Sequence, residues 1–123
     1  MRKVPQYKPE HLEVFTRLIS DSGPINRAPL LSKVRQFFPE LRDQDLRDMK
    51  SKVNDLNPNI LLGSCNTIGY FEVDCIDYFE KGLKQIEGPM YNLMKDKTLY
   101  LLKFRTLYPE LYSQIYGQMR LNV

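Results

Sequence analysis

The stretch from residue 57 to residue 73, NPNILLGSCNTIGYFEV, decides the fold that we predict for this chain. It opens with Asn57, Pro58 and Asn59, a combination that ends a preceding helix. Two runs rich in apolar, β-branched and aromatic residues follow, at 60–62 and 68–73, and polar turn residues separate them. This pattern is typical of a β-hairpin. We therefore predict two short strands joined by a loop at 63–67.

Three amphipathic helices are predicted before the hairpin, because apolar residues recur at steps of three and four. The first spans about 9–21 and ends at Ser22, Gly23 and Pro24, and the second spans about 27–37 and is closed by Pro39. The third begins at residue 42 or 43. Its inward stripe is Leu46, Met49, Val53 and Leu56.

A heptad pattern follows the hairpin and Asp74, which we expect to cap the new helix. Its apolar positions are Ile76, Phe79, Leu83, Ile86, Met90 and Leu93. The phase continues to residue 107, although Gly88 and Pro89 interrupt it and predict a kink or a break. Two interpretations remain open. The heptad either folds back on the first helix and the hairpin, or forms the seam of a dimer.

A last short helix is predicted over about 109–119. Tyr108, Tyr112 and Tyr116 recur every fourth residue along it. Such an aromatic stripe could stack nucleic-acid bases, but it is more often part of an interface or a core.

The order of these elements, and the residues that carry it, resemble a winged-helix family common in bacteriophages and prophages. The resemblance rests on the run LRDQDLRDM at 41–49, continues through Val53, Leu56 and Ile60, and ends on IGYF at 68–71. In that family a helix opens with Asp-x-Glu-Leu-Arg, and an apolar strand, a serine-containing turn and Gly-Tyr follow it. The resemblance covers about residues 9–95. It implies a mainly α fold with a winged-helix domain at 9–74. The basic residues before it predict a flexible arm at 1–8. A C-terminal helical extension at 75–123, a possible dimerisation element, completes the predicted fold.

Composition limits the function classes. With 18 basic and 15 acidic residues the net charge is +3, which is too small to identify a partner. A single histidine, two cysteines without metal-ligand spacing and no catalytic motif argue against an enzyme, and we predict no metal and no cofactor. No apolar run reaches the roughly 18–20 residues of a membrane span. We expect a cytoplasmic protein, in the host cell if the chain is phage-encoded.

The outward face of the third helix is the predicted DNA-reading surface, because its side chains match base edges in a major groove. The predicted base contacts are Gln44, Arg47, Ser51 and Asn54. The predicted phosphate contacts are Lys50 and Lys52 beside this face, with Arg2 and Lys3 in the arm. The predicted wing contacts are Ser64, Asn66 and Thr67. Four aspartates on or beside the same face leave a solvated or protein-binding surface as the alternative.

We therefore expect a non-enzymatic protein that binds double-stranded DNA in transcriptional or replication control, as a homodimer. The alternative is a winged-helix scaffold that binds or inhibits a protein partner without binding DNA. The near-neutral charge and the acidic residues of the third helix favour that alternative.

Overall fold

A computed structural model describes residues 6–87 and 94–121 of the chain. The elements in this part are α1 (Pro9–Ser22), α2 (Arg27–Val34), α3 (Asp45–Leu56), β1 (Leu62–Cys65), β2 (Gly69–Glu72), α4 (Ile76–Glu87), α5 (Met94–Leu107) and α6 (Pro109–Leu121). The described chain is thus mainly helical with one two-stranded antiparallel sheet, as predicted at that level. Within it, no helix combines the length and the apolar character that crossing a membrane requires.

Helix α1 has nearly the predicted bounds, and its first turn uses the only histidine. The ring nitrogen Nδ1 of His11 accepts the backbone N–H of Lys8 at 3.2 Å, and the His11 ring packs edge-on against Phe38 at 4.7 Å between centroids. Because this N–H lies at the helix start, it has no partner within the helix itself. The histidine therefore has a structural role.

Helices α2 and α3 are both shorter than predicted. Beyond Val34 the chain tightens, since the N–H of Gln36 and that of Phe37 bond to carbonyls three residues back, so α2 ends before residue 37. Helix α3 begins only at Asp45. The carboxylate of Asp45 accepts the Arg42 N–H at 2.8 Å and so holds residues 42–44 in a turn before the helix.

The hairpin is present, but the bounds of its strands differ from the prediction. Leu62 pairs with Glu72 and Cys65 with Gly69, so residues 63–65 belong to β1 rather than to the loop. The connection is the turn at 66–68, and Gly69 then has a φ of 86°. A short hairpin loop commonly ends on such a left-handed residue, which favours glycine.

A third segment extends the sheet at its edge. Ile25, between α1 and α2, exchanges both backbone hydrogen bonds with Tyr70, at 2.9 and 2.8 Å. A side chain at Gly69 would overlap the Ile25 carbonyl, so this close approach also requires glycine. The bridge joins the start of α2 to the hairpin.

The hairpin separates two hydrophobic cores. Successive side chains of a strand point to opposite faces, and here both faces are buried. Leu62 and Tyr70 belong to the first core, which α1, α2 and α3 complete, whereas Leu61, Phe71 and Val73 belong to the second. In α3, Leu46, Met49 and Val53 are buried as predicted. Leu56, the last member of the predicted stripe, is 69% exposed.

The described part of the heptad enters the second core. Phe79 is fully buried and stacks on Phe104 and Tyr100 of α5, at 4.1 and 5.5 Å between ring centroids. Leu83 and Ile86 also lie against this core. A second chain cannot reach Phe79 in this arrangement, so the heptad folds back on its own chain at this position. Gly88, Pro89, Met90 and Leu93 lie outside the described residues.

Tyr108, Tyr112 and Tyr116 also pack against the second core. The Tyr116 ring meets Phe79 edge-on at 6.5 Å, and the Tyr108 ring lies 5.5 Å from that of Phe104. The stripe therefore contributes to the core, as the more common interpretation of such a pattern predicts.

The crossing of α4 and α5 depends on Gly82, because a Cβ there would overlap the hydroxyl of Tyr100. That hydroxyl donates to the Phe79 carbonyl at 2.8 Å. Gly→Ala in an exposed helix usually stabilises by about 0.5–1 kcal/mol. We predict the opposite for Gly82→Ala: a loss of about 1–3 kcal/mol in the free energy of unfolding, because Tyr100 must move.

Gly117→Ala in α6 is the matched control, since its Cβ would meet only Ser113 at an ordinary 3.9 Å. It should be neutral or stabilising. Urea denaturation of both variants tests this packing, and equal stabilities would contradict it.

Candidate functional site

An open groove of about 690 Å³ lies where the start of α2, helix α3, the hairpin and the end of α4 meet. Helix α3 contributes Arg47, Lys50 and Ser51, and the hairpin contributes Ser64 and Asn66. The structure thus brings predicted base, phosphate and wing residues from two elements into one concave surface.

The groove is cationic. Arg27, Arg47 and Lys50 line it, and none of the described residues in its lining is acidic. Arg47 is exposed and makes no hydrogen bond or ion pair with any residue in the described ranges. Burial raises the pKa of the neighbouring Tyr70 phenol, against the opposing effect of the Arg47 charge, so this phenol is neutral at physiological pH. The net effect is a surface suited to an anionic ligand.

The aspartates near α3 do not line this groove. Asp45 is buried and occupied with the Arg42 backbone, and Asp43 forms an ion pair with Arg27 at 3.0 Å that is largely exposed to solvent. Such exposed pairs contribute little and leave Arg27 accessible. Asp48 and Asp55 contribute no atoms to the groove lining. Acidic side chains therefore repel a polyanion here much less than the sequence of α3 alone suggests.

The four predicted base contacts divide into three groups. Arg47 and Ser51 line the groove. Gln44 is exposed and precedes α3, outside the groove lining. The prediction that Asn54 contacts bases is wrong. Its side-chain carbonyl accepts the Leu62 N–H at 2.8 Å, and its side-chain NH2 group donates to the Leu62 carbonyl at 3.0 Å. Because both ends of the amide are engaged, Asn54 fastens α3 to β1 and is not free to read bases.

The predicted phosphate contacts also divide. Lys50 lines the groove and donates to the Ser64 hydroxyl at 3.1 Å, which directs its charge along β1. Lys52 is exposed, but it lies on another side of α3 and does not line the groove. Arg2 and Lys3 lie outside the described residues.

Of the three predicted wing residues, Asn66 and Thr67 lie in the hairpin turn as predicted, and only Ser64 is placed differently. Ser64 lies in β1 rather than in the loop, and both Ser64 and Asn66 line the groove. Thr67 belongs to the turn, and its hydroxyl contacts the Cys65 sulfur at 3.2 Å. Burial works against ionisation of the Cys65 thiol, but hydrogen bonds from Thr67 and from the backbone outweigh it, so its pKa lies below the ordinary value.

The other walls of the groove were not predicted from the sequence. Asn26 and Arg27 come from the start of α2, and Gln85 and Ile86 come from the end of α4. Asn26 is the N-cap residue of α2, although its side chain makes no capping hydrogen bond. No local pattern marks these residues, because the bridge at Ile25 and the second core bring them to the groove.

Helix α5 clamps the C-terminal end of α3. The ammonium group of Lys103 donates to the carbonyls of Asn54 and Asn57, at 2.7 and 2.6 Å. These are among the carbonyls that a helix end leaves without partners, and the helix dipole favours a cation there. Desolvation lowers the pKa of Lys103 to about 8, and the Asp55 carboxylate opposes that shift. The α3 residues that line the groove, Arg47, Lys50 and Ser51, therefore all precede the end of the helix that Lys103 contacts.

Residues 6–87 and 94–121 contain no cluster of three or more histidine, cysteine, aspartate or glutamate side chains placed to hold a metal ion. Comparisons with known protein families, with curated proteins and with solved structures found no match for the chain. The resemblance to phage winged-helix proteins stays a prediction from the sequence.

The contrast between Asn54 and Ser51 yields a stability prediction. Asn54→Ala leaves the buried backbone of Leu62 without its partners and should lower the free energy of unfolding by about 2 kcal/mol. Ser51→Ala, one turn away and exposed, should change it by less than about 0.5 kcal/mol. Urea denaturation measures both, and an Asn54→Ala protein as stable as the wild type would show that the amide does not fasten the hairpin.

Proposed function

We propose that the chain is a non-enzymatic, winged-helix-type protein that binds double-stranded DNA, with α3 as the reading helix and the hairpin as the wing. The observation that carries this proposal is the convergence of Arg47 and Ser51 of α3 with Ser64 and Asn66 of the hairpin in one groove. Three cationic side chains and no carboxylate from the described residues line that groove.

The order of elements supports the winged-helix proposal. Three helices precede an antiparallel hairpin, and the segment around Ile25 pairs with β2 at the edge of the sheet. Helix α3 and the hairpin are fastened to each other by Asn54. A reading helix and a wing that move as one body can bind DNA without first being ordered, so little conformational entropy is lost.

The contacts follow from the chemistry of the side chains. Arg47 would pair with guanine O6 and N7, the commonest specific contact of an arginine in a major groove. The Ser51 hydroxyl would accept or donate a hydrogen bond to a base edge beside that guanine. Arg27, Lys50 and the polar hairpin residues would bind phosphates and fix the orientation of the duplex. Asn54 is not part of this set.

The proposed biological role follows from the sequence resemblance to phage and prophage winged-helix proteins. A phage or prophage protein with this groove would act in transcriptional or replication control in the host cytoplasm. A homodimer would present two grooves to a palindromic site. That dimer would need a surface other than Phe79, which the second core occupies.

A protein-interaction module is the second candidate function, and one observation favours it. Leu56 and Leu102 are 69% and 55% exposed. Leu102 precedes Lys103, whose ammonium group binds the carbonyls on both sides of Leu56. Exposed leucines on adjacent elements are typical of a protein-binding surface when they form a continuous patch.

The direct test compares two variants of α3 that remove one positive charge each. Arg47→Ala removes a cation from the groove, whereas Lys52→Ala removes one from outside it. On duplexes enriched from a randomised pool by the wild type, we expect Arg47→Ala to weaken binding about tenfold or more and Lys52→Ala to leave it within about twofold. Fluorescence anisotropy measures both.

Wild-type binding should also fall by orders of magnitude between about 50 and 200 mM salt, because phosphate contacts release counterions. Absence of duplex binding at about 50 mM salt would reject the DNA proposal and leave the interaction module. Equal losses of affinity for Arg47→Ala and Lys52→Ala would show that the duplex does not bind chiefly through the groove.

A further inference from the structure

The second core contributes a wall to the groove. Gln85 and Ile86 lie in the last turns of α4, and they line the same surface as Arg47 and Ser51. Helix α4 is held in place by Phe79, which is buried among the α5 and α6 aromatics. The groove therefore spans both cores, and the C-terminal extension supplies part of the site.

The side chain of Gln85 is available for a ligand. It is half-buried and makes no hydrogen bond with any residue in the described part of the chain. Its amide offers two donors and one acceptor. Ile86, next to it, lines both the groove and a cleft of about 120 Å³ that reaches Gly82 and Tyr100, so the backbone that carries Gln85 is anchored in the second core.

We propose that Gln85 is a specificity-determining DNA contact, which reads a base-pair edge beside the positions read by Arg47 and Ser51. A glutamine amide matches adenine N6 and N7 in a bidentate pair. The inference rests on the proposed DNA-binding function and deepens it: the recognised site extends past α3, and its sequence preference depends on the C-terminal helices.

The expected effect of removing the Gln85 amide is a loss of sequence selectivity, because no charged residue of α4 lines the groove. Lys84 is exposed and does not line the groove, so the contribution of α4 at this point comes from an uncharged amide. Removing one base contact typically costs between about 5- and 100-fold in affinity for the preferred site, while binding to other sequences stays nearly the same. Gln85 should therefore affect selectivity more than non-specific affinity.

The experiment uses the full chain and duplexes of about 20 base pairs enriched from a randomised pool by the wild type. Gln85→Met keeps the length of the side chain and removes the amide, and Gln85→Glu adds a negative charge to the groove. We expect both to bind the enriched duplex about tenfold more weakly, and Gln85→Met to lose the preference at one or two base pairs. Binding of Gln85→Met to an unselected duplex should stay within about twofold of the wild type.

Gln114→Glu is the matched control, because it makes the same substitution at an exposed position of α6 outside the groove. It should leave binding unchanged. If Arg47→Ala loses the enriched duplex while Gln85→Met and Gln85→Glu bind it like the wild type, the role of Gln85 is wrong and the DNA-binding function stands. If the wild type binds no duplex at low salt, both proposals fail.

Discussion

The structure depends on a hairpin that is buried on both faces. Tyr70 packs into the first core and the adjacent Phe71 into the second, so neither core can form without the same two strands. An ordinary two-stranded hairpin is barely stable alone. Here the cores hold it from either side, and the backbone bridge to Ile25 and the Asn54 amide fix its edge and its angle to α3. The groove inherits its shape from these contacts.

This arrangement also determines the charge of the groove. No aspartate near α3 lines the groove, although Asp43 pairs with Arg27 in an exposed ion pair. Arg47 makes no hydrogen bond or ion pair with any described residue, and Lys50 is directed along β1. A small net charge is thus compatible with a locally cationic surface, because position rather than the total decides what a ligand meets. At the C-terminal end of α3, outside the groove lining, the Lys103 ammonium group binds the carbonyls of Asn54 and Asn57.

Helix periodicity predicted most of the fold, because the apolar residues of α1, α3 and α4 face one side each. The predicted boundary between the first strand and the loop was wrong, since Gly63, Ser64 and Cys65 resemble turn residues but are paired in β1. In the site, Ser51 and Asn54 were equivalent by helical spacing, and only the contact with Leu62 separates them. Gln85 and Lys103 have no local signal at all. Their positions arise from the fold of α4 and α5 onto the hairpin, which spacing along the chain does not encode.

The most direct measurement is a titration of the isotope-labelled protein with a duplex of about 20 base pairs, followed by amide proton–nitrogen correlation spectra at about 50 mM salt. We predict that the backbone amides of Arg27, Arg47, Ser51 and Asn66 shift together and saturably, while that of Gln114 in α6 does not. Shifts confined to α5 and α6, or no shifts at all, would contradict a DNA site in the groove between α3 and the hairpin.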